Sequence, residues 1–175
     1  MKALAISGSL RAQSTNTTLL NAVKLIASPH VDVVLYNELE TIPPFNPDLD
    51  LEPGPNSVSR LRAALRDSSA VLFSTPEYAH GVPGALKNAL DWIVGSGELS
   101  GKPVALFNAS VRGAYAQASL REILKTMDAQ VLADAEITIP LLGKSFDASQ
   151  IFADPEFVTL ILSSIQRIVS SVSKS

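Results

Sequence analysis

The chain has 175 residues, of which 46% are hydrophobic, and a net charge of −3 without a basic run; this predicts a single domain over residues 1–175 and argues against binding to nucleic acid or anionic lipid. It contains no cysteine, which excludes disulfides, a thiolate nucleophile and cysteine-ligated metals, and His30 and His80 are too far apart in sequence for a local zinc motif, so no metal is expected. No stretch predicts a membrane span, and the first residues show a strand pattern instead of a signal-peptide pattern, so we expect a cytoplasmic protein without membrane contact.

A short apolar strand followed by a polar loop opens the chain. Residues Ala3–Ile6 predict a strand buried on both faces of a parallel sheet, and Gly8 allows the turn after it because it lacks a Cβ atom. Hydroxyl, amide and guanidinium groups then precede a helical pattern that begins at Thr18: Ser9, Arg11, Ser14, Thr15, Asn16 and Thr17. Because a helix N-terminus presents unpaired N–H groups and a partial positive charge, this loop predicts an anion-binding site.

The composition of this first loop narrows the choice of anion. The loop lacks the second glycine and the lysine of the P-loop, and of the dinucleotide fingerprint G-x-G-x-x-G only Gly8 is present. Neutral donors with one guanidinium suit a single terminal phosphate monoester better than a triphosphate with its magnesium. The alternative is a polar turn in which Ser14 or Asn16 simply caps the helix.

Strands and helices alternate along the rest of the chain. The predicted elements are a helix to Ser28, a strand Val31–Tyr36, a helix Val58–Asp67, a strand Ala70–Ser74, a helix after Gly84, a strand Pro103–Ala109, a helix Ala116–Met127, a strand Val131–Ile139 and a helix Ala148–Ser173. This alternation predicts an α/β protein with an open, doubly wound parallel sheet. Ligands of such sheets bind outside the carboxyl ends of the strands, so the polar loops Ser9–Thr17, Thr75–Gly84 and Ser110–Tyr115 are expected to share one crevice.

The interval Asn37–Pro55 contains five prolines, and we expect no regular structure across it. A connection of this length predicts a lid or a partner-contacting loop, with a disordered linker as the alternative. Its apolar side chains argue against disorder: Ile42, Phe45, Leu49 and Leu51.

Two stretches together resemble a known family. GSLRAQSTN after the first strand and TPEYAHGVPGALKNALDW after the third are similar to the NAD(P)H-dependent FMN reductases of flavodoxin-like fold, a group that includes quinone, azo-dye and chromate reductases. The resemblance runs from the first strand to at least Leu124. It implies a three-layer sandwich around a five-stranded parallel sheet in the order 2-1-3-4-5. It also implies bound FMN, NADPH or NADH as hydride donor, and free flavin, quinones or similar small molecules as electron acceptors.

The resemblance also assigns roles to individual positions. In the family, the loop matching Ser9–Asn16 wraps the FMN phosphate, and the position matching Ser110 touches the flavin. The positions that run along the isoalloxazine match Pro76, Glu77, Tyr78, Ala79 and His80, and Gly81 beside them is a further cofactor-binding candidate. Two departures stand out: the family usually has Asn in place of Ala79, and its glycine pair after the fourth strand is replaced by 111–113, Val-Arg-Gly.

Flavin chemistry explains why the chain offers binding residues and no convincing catalytic residue, because the cofactor supplies the reactivity and the protein supplies position. We expect a salt bridge or subunit contact for Glu77 and packing for Trp92. One alternative is a flavodoxin-type electron carrier, although such carriers are strongly acidic around the flavin, whereas this chain has a net charge of only −3 and Arg11 and Arg112 in the predicted crevice. Another is a structural or regulatory subunit that binds no flavin.

The resemblance and the apolar side chains in the proline-rich interval also predict self-association. We expect a homodimer or homotetramer in which the loop Thr41–Asp50 and the helix Gly84–Ile93 lie at or near a subunit interface.

Overall fold

The computed structural model describes residues 1–141, 143 and 146–174 of the chain. The strands within these residues are β1 (Lys2–Ser7), β2 (Asp32–Tyr36), β3 (Ala70–Ser74), β4 (Pro103–Asn108), β5 (Gln130–Val131) and β6 (Ile137–Thr138). All of them pair in parallel, in the order β2-β1-β3-β4-β5, with β6 paired to β4. The predicted order 2-1-3-4-5 and the flavodoxin-like fold are confirmed.

Helices cover both faces of this sheet. They are α1 (Thr15–Ala27), α2 (Asn56–Arg66), α3 (Gly84–Val94), α4 (Ala114–Thr126), α5 (Ala148–Phe152) and α6 (Pro155–Val172). Successive β1 side chains point to opposite faces: Ala3 and Ala5 pack in the core beneath α1, α5 and α6, and Leu4 and Ile6 pack in the core beneath α2, α3 and α4. The result is the three-layer sandwich that the resemblance implied.

The fifth strand is shorter than predicted. Instead of one strand over Val131–Ile139, the chain leaves the sheet after β5, forms a 3₁₀ turn at Ala133–Ala135 and returns as β6. The buried Ser164 hydroxyl on α6 donates a hydrogen bond to the Ala135 carbonyl. This bond satisfies a buried backbone acceptor outside the sheet, so the detour leaves that group paired.

The helix predicted over Ala148–Ser173 is two helices. Pro155 has no N–H group to continue the hydrogen-bond ladder of α5, so it begins α6 instead. The Asp154 carboxylate caps this new helix by accepting the N–H of Glu156 at 2.9 Å and that of Phe157 at 3.3 Å.

The long connection between β2 and α2 is held against α3. It contains two 3₁₀ turns, Leu39–Thr41 and Pro47–Leu49, where no regular structure was expected. The Pro43 carbonyl accepts hydrogen bonds from Asn88 Nδ2 at 2.9 Å and Trp92 Nε1 at 2.8 Å. Both donors lie on α3, so the packing role expected for Trp92 includes anchoring of this connection.

A largely buried arginine side chain adds a second anchor. Arg62 on α2 donates through Nη2 to Asp50 Oδ1 at 2.8 Å and to the Trp92 carbonyl at 2.5 Å. The same guanidinium therefore ties the end of the connection to the end of α3.

Candidate functional site

The carboxyl ends of β1, β3 and β4 meet at a cavity of about 300 Å³, within the range of roughly 300–1,000 Å³ typical of small-molecule sites. Its walls are the loops after β1, β3 and β4, which the sequence predicts to share one crevice. The lining residues are Ser9, Arg11, Ser14, Thr15 and Asn16 after β1, Thr75, Pro76, Glu77 and Tyr78 after β3, and Asn108, Ala109, Ser110, Arg112 and Gly113 at and after the end of β4.

The N-terminus of α1 presents hydrogen-bond donors to this cavity. Ser14 is its N-cap, and the Ser14 hydroxyl accepts the N–H of Thr17 at 3.3 Å. The N–H groups of Thr15 and Asn16 belong to the first turn, which has no acceptor inside the helix. The buried Ser74 hydroxyl donates to Asn16 Oδ1 at 2.9 Å, which leaves the Asn16 NH₂ group as a further donor. Capping and anion binding are therefore compatible at this helix end.

Gly8 is needed for close packing, and its backbone does not occupy the left-handed region that favours glycine. A Cβ atom at Gly8 would lie 2.3 Å from Thr75 Oγ1 and 2.9 Å from Thr75 Cβ. The Gly8 N–H also donates to the Ser74 carbonyl at 2.8 Å. The missing Cβ atom expected to matter at this turn has a specific reason, since it lets the loops after β1 and β3 start side by side.

Glu77 connects the loop after β3, which forms the second wall of the cavity, to the helix α4 that follows the third wall, the loop after β4. Its Oε2 accepts the N–H of Ala116 at 2.9 Å, in the first turn of α4. The N-cap of that helix is Gly113, which has no side chain to do this. Glu77 therefore has a structural role, as expected, but as a helix cap instead of a salt bridge.

A tight turn forms the rim above Glu77. Tyr78 and Gly81 exchange two backbone hydrogen bonds of 3.1 and 3.0 Å, and Ala79 and His80 between them have φ values of 49° and 58°. Positive φ at both central residues is the geometry of a type I′ turn. The His80 ring stacks on Tyr115 of α4 with centroids 4.3 Å apart, so this rim is also held to the third wall.

The strained position Ala79 yields a stability prediction. An alanine at φ 49° is sterically strained, and asparagine adopts this left-handed conformation more readily. Ala79→Asn should therefore raise the free energy of unfolding by about 1 kcal/mol. Urea denaturation measures this change. The matched control is Ala118→Asn on the exposed face of α4, which should lower stability because asparagine is the poorer helix former. A destabilising Ala79→Asn would contradict the turn geometry.

The third wall is a turn built on Asn108. Its Oδ1 accepts the N–H of Ser110 at 3.1 Å, and the Ser110 hydroxyl accepts the N–H of Arg112 at 3.0 Å. A Cβ atom at Gly113 would lie 3.5 Å from Asn108 Oδ1, at ordinary van der Waals distance, so Gly113 lies beside the amide. Asn108 was not among the predicted site residues, although its place at the polar end of an apolar strand is a usable signal.

Not every predicted residue lines the cavity. Thr17 Oγ1 donates to Ser7 Oγ at 2.8 Å and borders a neighbouring cavity. Ala79, His80 and Gly81 form the rim. Thr75, Arg112 and Gly113 belong to the loops expected at the crevice but were not among the cofactor-binding candidates, and Asn108 and Ala109 lie outside those loops.

The neighbouring cavity, of about 200 Å³, lies between the loop after β1 and the end of β2 and shares Ser9 and Arg11 with the first. Its Tyr36 hydroxyl is buried and makes no hydrogen bond within the described residues. Burial, reinforced by the charge of Glu38, raises the pKa of Tyr36 to about 12. This phenol therefore stays neutral at physiological pH.

A larger groove, of about 500 Å³, lies along β5 and α6. It is remote from the carboxyl ends of β1 and β3, where ligands of doubly wound sheets bind. The Arg167 guanidinium that lines it donates to the Asp134 carbonyl. We therefore place the candidate site at the cavity between the three loops.

Comparison of the sequence with known proteins gives a family match and two similar reductases. The family model described as NADPH-dependent FMN reductase matches residues 1–142. An NAD(P)H-dependent FMN reductase of Pseudomonas aeruginosa is 36% identical over 171 residues, covering 95% of this chain and 92% of the relative. A quinone reductase of Escherichia coli is 35% identical over 138 residues, covering 75% and 73%.

A solved structure also matches closely. The flavoenzyme NAD(P)H:(acceptor) oxidoreductase FerB of Paracoccus denitrificans superposes with a TM-score of 0.87 at 28% identity, covering 99% of this chain and 97% of FerB.

Within residues 1–141, 143 and 146–174, no helix is both long enough and apolar enough to cross a bilayer.

Proposed function

Because this chain belongs to the NADPH-dependent FMN reductase family, we propose that it binds FMN at the cavity between its three loops and uses NADPH or NADH to reduce free flavin, quinones or similar small acceptors. The observation that carries this proposal is the convergence of a phosphate-type donor set with two backbone-rich loops at the carboxyl ends of β1, β3 and β4. The place is the one where ligands of this fold class bind.

The donor set of the first loop fits the phosphate of FMN. The Thr15 and Asn16 N–H groups, the Ser9 and Ser14 hydroxyls and the exposed guanidinium of Arg11 line one end of the cavity. Such groups can surround three phosphate oxygens, and the helix end favours the negative charge. Thr17 is the weaker candidate, since its hydroxyl bonds to Ser7.

The other two loops fit the flat ring system. Pro76, Glu77 and Tyr78 form one wall, with the turn 79–81 above them, and Ser110 lies on the other. The Glu77 cap and the His80–Tyr115 stack hold these walls together, so the walls are positioned before a ligand arrives. Bound FMN supplies the hydride-accepting chemistry.

An electron carrier of the flavodoxin type remains the second candidate, and the charges around the cavity argue against it. Carriers of that type surround the flavin with acidic residues to dock protein partners. Here the cavity is lined by Arg11 and Arg112, and Glu77, the single acidic residue among its described lining residues, caps α4. A subunit without flavin is disfavoured by the intact donor set of the first loop.

Steady-state kinetics test the proposed function. The FMN-loaded protein should oxidise NADPH or NADH when menadione or free FMN is present. If one open flavin face serves donor and acceptor in turn, varying both substrates should give the parallel double-reciprocal lines of ping-pong kinetics. No oxidation above that of a protein-free control with the same FMN would contradict the proposal.

We also predict a homodimer or homotetramer, with the loop Thr41–Asp50 and the helix Gly84–Ile93 at or near the interface. The connection keeps Phe45, Leu49 and Leu51 partly or largely exposed although it is clamped to α3, and a fixed apolar surface of this kind favours association. Light scattering at micromolar concentration should give a multiple of 18.6 kDa. A monomer would contradict the prediction. We also propose that residues 1–175 form a single domain and that the protein acts in the cytoplasm, where reduced pyridine nucleotide is available.

A further inference from the structure

Two arginines line the cavity from opposite walls. Arg11 follows β1 and Arg112 follows β4, and both side chains are exposed. Neither guanidinium makes a hydrogen bond or an ion pair within the described residues. All other arginines of the chain bond to a carboxylate or a backbone carbonyl: Arg60, Arg62, Arg66, Arg121 and Arg167. Within the part of the chain that the structure describes, the two guanidiniums without a partner are thus those at the candidate site.

The cavity therefore carries an excess of positive charge. Among the described residues that line it, Glu77 is the only acidic one, and Glu77 Oε2 is already the acceptor for the Ala116 N–H. A guanidinium is always charged at physiological pH, so two such groups at one cavity favour anionic ligands. The phosphate of FMN is the proposed ligand of Arg11 and of the N-terminus of α1. Arg112 therefore needs a different anionic ligand.

The position of Arg112 separates it from the phosphate end. Strand β3 lies between β1 and β4, and with about 4.8 Å between neighbouring strands the two loops start roughly 10 Å apart. The Ser110 hydroxyl accepts the Arg112 N–H at 3.0 Å, and Asn108 Oδ1 accepts the Ser110 N–H at 3.1 Å. Arg112 thus extends from a fixed turn on the wall opposite the phosphate donors.

Resting on the proposed function, we infer that Arg112 binds a phosphate group of the pyridine nucleotide that delivers hydride. The dinucleotide is the other phosphate-bearing ligand that the donor half of the reaction requires. Its nicotinamide must reach the flavin, which brings its phosphates to the mouth of the same cavity. Arg112 is then a specificity-determining residue for the donor, and Arg11 serves FMN.

The test is binding of NADP⁺ and NAD⁺ to the FMN-loaded protein, measured by titration calorimetry, for the wild type and for Arg112→Gln. Charge-assisted hydrogen bonds of this kind predict a 10- to 150-fold weaker affinity for the nucleotide in Arg112→Gln, with the FMN dissociation constant changed less than threefold. Lys24→Gln, an exposed substitution on α1 that changes the net charge equally, is the control and should change neither affinity.

The two nucleotides separate the two phosphate positions. If Arg112→Gln loses affinity for NADP⁺ alone, Arg112 contacts the 2′-phosphate. If it loses affinity equally for NADP⁺ and NAD⁺, Arg112 contacts the pyrophosphate. Unchanged affinity for both nucleotides overturns the inference, and so does a loss that falls on FMN instead. Failure of NADPH and NADH to reduce the wild-type flavin would overturn the proposed function, which is a different result from an unaltered Arg112→Gln titration.

Discussion

Trp92→Ala should lower the free energy of unfolding by about 3–5 kcal/mol, the range measured for removal of large buried aromatic side chains. Trp92 is fully buried, and its ring meets Phe45 edge-on with centroids 5.1 Å apart. The variant creates a cavity beneath α3 and removes one of the two side-chain donors to the Pro43 carbonyl. Urea denaturation at a fixed FMN concentration measures the loss.

Trp92→Phe is the matched variant. It keeps most of the buried ring but lacks the indole N–H, and the Pro43 carbonyl keeps the hydrogen bond from Asn88 at 2.9 Å. Its loss of stability should therefore be clearly smaller than that of Trp92→Ala. If Trp92→Ala lost no more stability than an exposed surface substitution, the anchoring role of Trp92 would be wrong.

Arg11→Ala should raise the dissociation constant of FMN by about 10- to 150-fold, because a hydrogen bond to a charged group contributes roughly 1.5–3 kcal/mol and each 1.4 kcal/mol is tenfold. Arg11 supplies the guanidinium of the first loop, and no partner within the described residues competes for it. Binding should weaken without being abolished, because the Ser14 hydroxyl and the Thr15 and Asn16 N–H groups remain in place. Fluorescence titration of the FMN-free protein measures the change.

The control for Arg11→Ala is Lys24→Ala, which removes an exposed positive charge from the last turn of α1. It separates a specific contact from the general effect of net charge, and FMN affinity should be unchanged. An Arg11→Ala variant with the affinity of the wild type would exclude Arg11 from the phosphate site.

The parts of the site that local sequence determines were predictable. The apolar run of β1 and the hydroxyl-rich loop after it identify a strand and a helix N-terminus, because burial and capping depend on nearby residues. The convergence of three loops followed from topology alone, since parallel strands of one sheet end at the same edge. The sequence pattern predicts that α1 begins at Thr18, whereas it begins at Thr15. The difference arises because the first turn of this helix is polar and does not show the apolar periodicity.

Contacts between distant segments were not predictable from the sequence. Glu77 caps α4, which begins 37 residues later at Ala114, and no local pattern distinguishes a capping carboxylate from one in a salt bridge. Gly8 has the same explanation, because the atom that excludes its Cβ belongs to Thr75. At the interruption of the fifth strand, the Ala135 carbonyl is paired by Ser164, again across the fold.

The most direct measurement of the central claim is anaerobic reduction of the bound flavin. The protein loaded with FMN and mixed with NADPH, and separately with NADH, in the absence of oxygen should lose the flavin absorbance near its visible maximum with at least one donor. Menadione added afterwards should restore it. If neither nucleotide bleaches the bound flavin while a chemical reductant does, the protein is not a pyridine-nucleotide-dependent reductase, and the electron-carrier function takes its place.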